Sequence, residues 1–190
     1  VPEFPGKAEA VPVRPIVVYP SPILTTPCKS VEGVDDDLRQ LVADMIETMH
    51  AAPGVGLAAN QIGDDRRVIV VDLSAGEEEG QSLVLINPEI LEVGGHENGE
   101  EGCLSFPGLV EFIERPLTIR YRAMDLEWKV VEAEAEGFLA RVICHEVDHV
   151  NGIVFHDRMS PLKRKFALKK IERLRRQGEW PDWEESQQRA

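Results

Sequence analysis

Residues 145–149 read HEVDH, and no other stretch restricts the fold so tightly. Two imidazoles four positions apart reach a common ion only on a helix, where residues i and i+4 stand one above the other on one face. His145 and His149 can then bind one divalent ion, with Glu146 near enough to handle the proton of a water on that ion. The chain must therefore supply a helix with an ion on one side and a core on the other. Phe138, Val142, His145 and His149 fall at spacings of four, three and four, which predicts a short apolar-backed helix with Gly137 as a candidate start. Asn151 and Gly152 follow, and a glycine there suits the left-handed cap that ends a helix.

Two histidines leave a four-coordinate ion one protein ligand short, beside an open position for water. The long zinc-protease motif takes a third histidine downstream. Here Gly152 is in place, but Phe155 stands at the ligand position and His156 comes one residue late. Upstream, residues 101–108 read EGCLSFPG, a cysteine flanked by glycine and followed by a Pro-Gly turn. Cys103 can supply a thiolate, and a sulfur donor beside two imidazoles suits zinc or ferrous iron. A zinc endopeptidase using His156 or a distant acid stays open as an alternative.

Three segments now stand in order: GVGLAANQ at 54–61, EGCLS at 101–105 and HEVDH at 145–149. With them the chain resembles the peptide deformylases, enzymes that remove the formyl group from the N-terminal methionine of new bacterial and organellar proteins. The resemblance runs from about residue 16 to the end of a basic C-terminal helix. It implies that Cys103, His145 and His149 bind the metal and that Glu146 is the general acid and base. It also implies that the Gln61 amide and the backbone N–H of Leu104 hold the formyl oxygen as it becomes an oxyanion. The implied ion is Fe²⁺ in the cell, with Zn²⁺, Ni²⁺ or Co²⁺ able to replace it, and the implied partners are N-formyl-methionyl nascent peptides. Chemistry agrees: a metal lowers the pKa of bound water to ~7, so hydroxide can attack the formyl carbon. Glu146 can return the proton to the departing amine. Fixed donors at a developing oxyanion are worth roughly 3 kcal/mol each. A non-catalytic ribosome-binding homologue retaining only a structural metal is the second alternative.

Gly54 and Gly56 permit a tight turn, or a close approach of substrate backbone. On the second reading Val55, Gly56 and Leu57 pair with the peptide as an added strand, and the segment around Gly102 flanks its other side. Leu57, Phe138 and Val142 are candidates for the pocket that takes the methionine side chain, against the alternative of ordinary core packing. Asp148 supports a histidine from behind or is a solvated acid. Glu101 and Arg115 are candidates for an ion pair that fixes the Cys103 loop, and Arg141 has no assigned role.

At 190 residues the chain fits one domain. Residues 1–15, rich in proline and small side chains, are expected as an extended arm. Residues 16–177 form the catalytic domain, and 178–190 a polar tail in which Trp180 and Trp183 cap an apolar patch or meet a partner. The periodicity of Leu38, Leu41, Val42, Met45, Ile46 and Met49 predicts a helix over 36–51. Strands are expected at 68–73, 83–86, 109–113, 117–123 and 128–131, with an acidic turn at 74–81. Strands massed between helices, without regular alternation, predict α+β: antiparallel sheets around a central HExxH helix, with a C-terminal helix at about 161–177.

Cys28, Cys103 and Cys144 are too few and too scattered for a disulfide framework, so a reducing compartment is expected. Cys144 reads as a small buried residue. No segment has the roughly 20 apolar residues that span a bilayer, so no membrane partner is expected. The bacterial cytoplasm is the expected location, with a mitochondrion or plastid, after loss of a targeting segment, as the alternative. A net charge of -13 argues against DNA. Yet residues 162–176 hold eight Lys or Arg and one acid, Glu172. That face either pairs with the protein's own acids or, as the resemblance implies, docks on the ribosome. On the docking reading, loss of residues 163–176 weakens salt-sensitive ribosome cosedimentation and leaves hydrolysis of a short formyl peptide nearly intact.

Overall fold

The computed structural model describes residues 13–78 and 80–181. Most of the expected arm, the end of the expected tail and Trp183 lie outside these residues.

Helix α1 (Asp36–Ala51) begins where the Asp35 carboxylate accepts the Leu38 N–H at 2.8 Å. Asp36 and Asp37 sit in its first turn, where negative charge meets the positive end of the helix dipole. Its apolar stripe of Leu38, Leu41, Met45 and Met49 is buried. Strand β1 (Gly56–Ala58) follows, then β2 (Val68–Val71) and β3 (Leu83–Gly94). Next come β4 (Glu97–Gly102), β5 (Val110–Arg115), β6 (Thr118–Met124) and β7 (Val130–Glu136). Helix α2 (Gly137–Val150) carries the HExxH motif, and α3 (Pro161–Gln177) lies near the end of the chain.

The strands form two antiparallel sheets, one of five strands in the order β1-β2-β3-β6-β7 and one of two, β4-β5. β2 shows how the larger sheet sits between helices: Val68 and Val70 face the core that holds α1, while Ile69 and Val71 face the core that holds α2. Burial on both faces explains why this strand is uniformly apolar. On α2, Ala140, Ile143, Val147 and Val150 close the second core against the sheet. A third core joins Phe106, Leu109 and Ile113 to Phe155, to Ala167 and Ile171 of α3, and to Trp180. The Trp180 indole donates to the Tyr19 carbonyl at 2.7 Å, pinning the chain after α3 to the N-terminal segment. The fold is α+β, with antiparallel sheets and helices arranged around α2.

The structure departs from the sequence pattern in places. β3 runs eight residues past the expected end at 86, accommodated by register shifts between Ile86 and Glu89 and between Ile90 and Glu92. β7 reaches residue 136 because its alternate glutamates face outward, where Glu132 meets Arg120 and Arg122. β1 and β4 have no counterpart among the expected strands. β1 is three residues within a glycine-rich segment, and β4 reads ENGEEG, with no apolar alternation.

Candidate active site

α2 starts at Gly137 and ends at Val150; Asn151 is its cap and Gly152 adopts φ +73°. A side chain at Gly152 would collide at 2.9 Å with the backbone of residues 25–27, so the helix end is fixed against the N-terminal segment. Four residues apart on this helix, the His145 and His149 rings stand 5.1 Å apart, centroid to centroid. Cys103 arrives from the loop after β4 and sets its sulfur 3.2 Å from His149 Nε2. The sulfur and one nitrogen of each histidine lie within 4.8 Å of one another. Ligand atoms around a tetrahedral ion are roughly 3.4–3.6 Å apart, so these residues fit a divalent metal, and a thiolate with two imidazoles suits zinc or ferrous iron.

Behind the ligands lies a buried ionic network. His145 Nδ1 is 3.0 Å from Glu101 Oε2, which leaves Nε2 as the nitrogen that would face a bound ion. Arg115 donates to both oxygens of Glu101, at 2.9 and 3.1 Å, and Arg141 donates to Oε1 at 2.7 Å. Burial alone would raise the Glu101 pKa, but bonds from His145 and Arg115, and the Arg115 charge, hold it at about 2. Arg115 also reaches Asp148 at 2.5 Å, and Asp148 pairs with Arg158. Asp148 is thus a buried member of the network and not a solvated acid. Asn60 Nδ2 donates to the His149 carbonyl at 2.7 Å.

Glu146 is buried at the floor of a cleft. Burial raises its pKa to about 7, against the opposing pull of His145 and Arg115. Its Oε2 makes no hydrogen bond within the described structure. Gly56 faces this carboxylate: a Cβ there would lie 2.6 Å from Glu146 Oε1 and 2.8 Å from Val142 Cγ1. Glycine at 56 thus leaves the room in which the Glu146 carboxylate sits, a reason distinct from the expected approach of substrate backbone. The Gln61 carboxamide is oriented by the Ala58 N–H, which donates to its Oε1 at 2.9 Å. Its Nε2 then points to Ser105 Oγ at 3.2 Å, with the Cys103 sulfur at 3.7 Å.

A cleft of about 470 Å³ opens over these groups, and Val55, Gly56, Gln61, Gly102, Cys103, Leu104, Phe138, Val142, His145 and Glu146 line it. His149 is buried beneath. The Leu57 side chain departs from the pocket expectation and follows the core-packing alternative: it is 0% exposed in the core that holds α1, because strand alternation turns it away from its cleft-facing neighbour Gly56. Phe138 remains 54% exposed at the rim. His156 is outside the ligand group; it packs edge-on against Tyr19 and Phe106, with centroids 4.9 and 5.5 Å away. Among the described residues no acid joins Cys103, His145 and His149. Sequence reasoning passed over Ser105, Asn60 and Arg158. Ser105 lies within EGCLS beside the cysteine, whereas nothing local marks the other two.

A helix that turns two imidazoles toward one point that a cysteine also reaches, with a buried glutamate beside them under an open cleft, is a construction that suits a metal-dependent hydrolase. The polypeptide deformylase profile matches residues 13–165. A peptide deformylase of Alkalilimnicola ehrlichii is 52% identical over 165 residues, 86% of this chain and 91% of that one. The crystal structure of a peptide deformylase from Legionella pneumophila superposes with a TM-score of 0.81 at 40% identity, covering 90% of this chain and 100% of that one. One from Synechococcus elongatus in complex with actinonin gives 0.80 at 40% identity, covering 86% and 90%. The chain belongs to the polypeptide deformylase family.

Proposed function

We propose that the chain removes the formyl group from the N-terminal methionine of newly made polypeptides, releasing formate. The meeting of Cys103, His145 and His149 at one point carries this reading, since it supplies the ligand set that the downstream residues Phe155 and His156 do not. A divalent ion held there supplies Lewis-acid activation of water and of the formyl carbonyl. Glu146 takes the proton of the attacking water and passes it to the departing amine. Gln61 Nε2, fixed by its bond to the Ala58 N–H, and the Leu104 N–H donate to the formyl oxygen as negative charge builds on it. The backbone at Val55 and Gly56 pairs with the peptide on one side and Gly102 on the other. Phe138 and Val142, which line the cleft, receive the methionine side chain.

The resident ion is Fe²⁺, replaceable by Zn²⁺, Ni²⁺ or Co²⁺; metal analysis after anaerobic purification tests this. The compartment is the bacterial cytoplasm, in keeping with bacterial relatives such as that of Alkalilimnicola ehrlichii. No helix among the described residues is long and apolar enough to cross a membrane. The basic face of α3 docks on the ribosome, and cosedimentation that weakens with salt tests that. The activity itself is tested with a short formyl-methionyl peptide and an internally labelled longer one. Formate release without internal cleavage is expected, and internal cleavage without formate release would make the chain an endopeptidase.

A further inference from the structure

The two-stranded sheet β4-β5 delivers Cys103 to the cleft, yet it shares no ladder with the five-stranded sheet. Its position over α2 therefore depends on side chains. One of them, Arg141, lies a single turn before His145 on the same face of α2. Its guanidinium is buried and donates to the Glu97 carbonyl at 2.8 Å, the Ile113 carbonyl at 2.9 Å and Glu101 Oε1 at 2.7 Å. Glu97 and Glu101 lie at opposite ends of β4, and Ile113 is on β5. Gly99 lies between them, and a Cβ there would be 2.8 Å from Arg141 Cζ. The guanidinium thus fills a slot that exists because residue 99 has no side chain. Displacing it would break charge-assisted bonds in a buried place.

We propose that Arg141, seated in the Gly99 slot, is a positioning residue that sets how far the β4-β5 hairpin stands from α2, and so where Cys103 meets His145 and His149. A planar fork with several fixed donors is suited to this, because it satisfies backbone carbonyls of two strands and a carboxylate at once. Lysine carries the charge but not the fork, and methionine fills the volume with neither. Arg141 also borders the cleft, but in this role it acts through the hairpin.

The inference rests on the metal-site reading above, and its test is independent of turnover. Co²⁺ affinity, and the near-ultraviolet absorption of a cysteine thiolate bound to Co²⁺, are measured on wild type, Arg141→Met, Arg141→Lys, Gly99→Ala and the Arg141→Met/Gly99→Ala double variant. A wild type that gives no thiolate absorption would overturn the metal-site reading; the ratios of the variants to wild type test the clamp. Arg141→Met should weaken Co²⁺ binding about 10–100-fold and reduce the thiolate absorption, as loss of outer support for a ligand does. Gly99→Ala, whose one added methyl spares the rest of the core, should act in the same direction. Arg141→Lys should recover only part of the loss. The double variant should bind as Arg141→Met does, because an unbonded methionine end can swing aside from the methyl with no hydrogen bonds to break. Variants that melt earlier yet keep wild-type Co²⁺ affinity and absorption would show Arg141 to be a stabilising residue only. Additive losses in the double variant would contradict the slot.

Discussion

Glu146 is held in a place that disfavours its ionised form, and that has a consequence measurable without substrate. Its pKa of about 7 exceeds the ordinary 4.5, so between those values the folded chain keeps a proton that the unfolded chain has lost. Stability is therefore drained as pH rises through that window, and the full cost is present above it. A shift of this size corresponds to about 3 kcal/mol in metal-free protein. Glu146→Gln removes the charge, so in chelator it should be more stable than wild type by up to about that amount near pH 8, with the difference gone below about pH 4.5. Urea denaturation at the two pH values decides it, and equal stability near pH 8 would contradict the burial argument. The same residue shows what a sequence reveals at this scale. HEVDH placed the two imidazoles and Glu146 on one helix, and EGCLS offered the thiolate. The residues that brace this helix, Arg158 through Asp148 and Asn60 through the His149 backbone carbonyl, sit at distances along the chain that no local spacing encodes.

At the scale of elements, α1 and α2 were legible because each buries a stripe at helical spacing and carries a recognisable end, whereas α3 was legible from its run of basic residues and the resemblance. β4 was not, since its place depends on the slot at Gly99 and on the charges around Glu101 rather than on alternating apolar side chains. β1 illustrates the same point, for three residues leave no period to detect, and one of them is a glycine whose reason lies on α2. Gly56→Ala tests that packing. The added methyl would press on Glu146 and Val142, and displacement of the carboxylate by about 1 Å should cost roughly 100-fold in kcat. Stopped-assay rates at saturating peptide check this; a rate within twofold of wild type would show that the carboxylate yields freely. α3 bears on a second expectation. Its Ala167 and Ile171 close the core beneath Phe106 and Leu109, and Lys170 donates to the Gly108 carbonyl at 2.9 Å, so the helix braces the loop that follows Cys103. Removal of residues 161–181 should therefore lower the melting temperature and impair hydrolysis of short peptides, contrary to the expectation that a docking helix is dispensable. Unchanged melting and rates in that truncation would restore the dispensable reading. Ribosome docking is better tested by neutralising its exposed basic side chains than by deletion.

At the scale of the whole molecule, the organisation is one of three cores meeting at a polar site. The sheet and α2 hold the histidines, α1 and β1 hold the Gln61 segment, and the third core holds the loop that brings the cysteine. The α+β class could be read from strands massed between helices, but the separation of β4-β5 from the main sheet could not, because registers between distant strands are set by packing that a single sequence does not display. Bringing groups from separate segments to one point makes activity a property of the assembled chain and of the ion it holds. The most direct test measures formate release from a formyl-methionyl peptide while metal-free protein is titrated with Fe²⁺ under anaerobic conditions. The rate should rise in proportion to bound metal and saturate at one ion per chain in the wild type, while Glu146→Gln loads to the same stoichiometry and stays inactive. Formate release by the metal-free protein, or wild-type rates from loaded Glu146→Gln, would contradict the assignment.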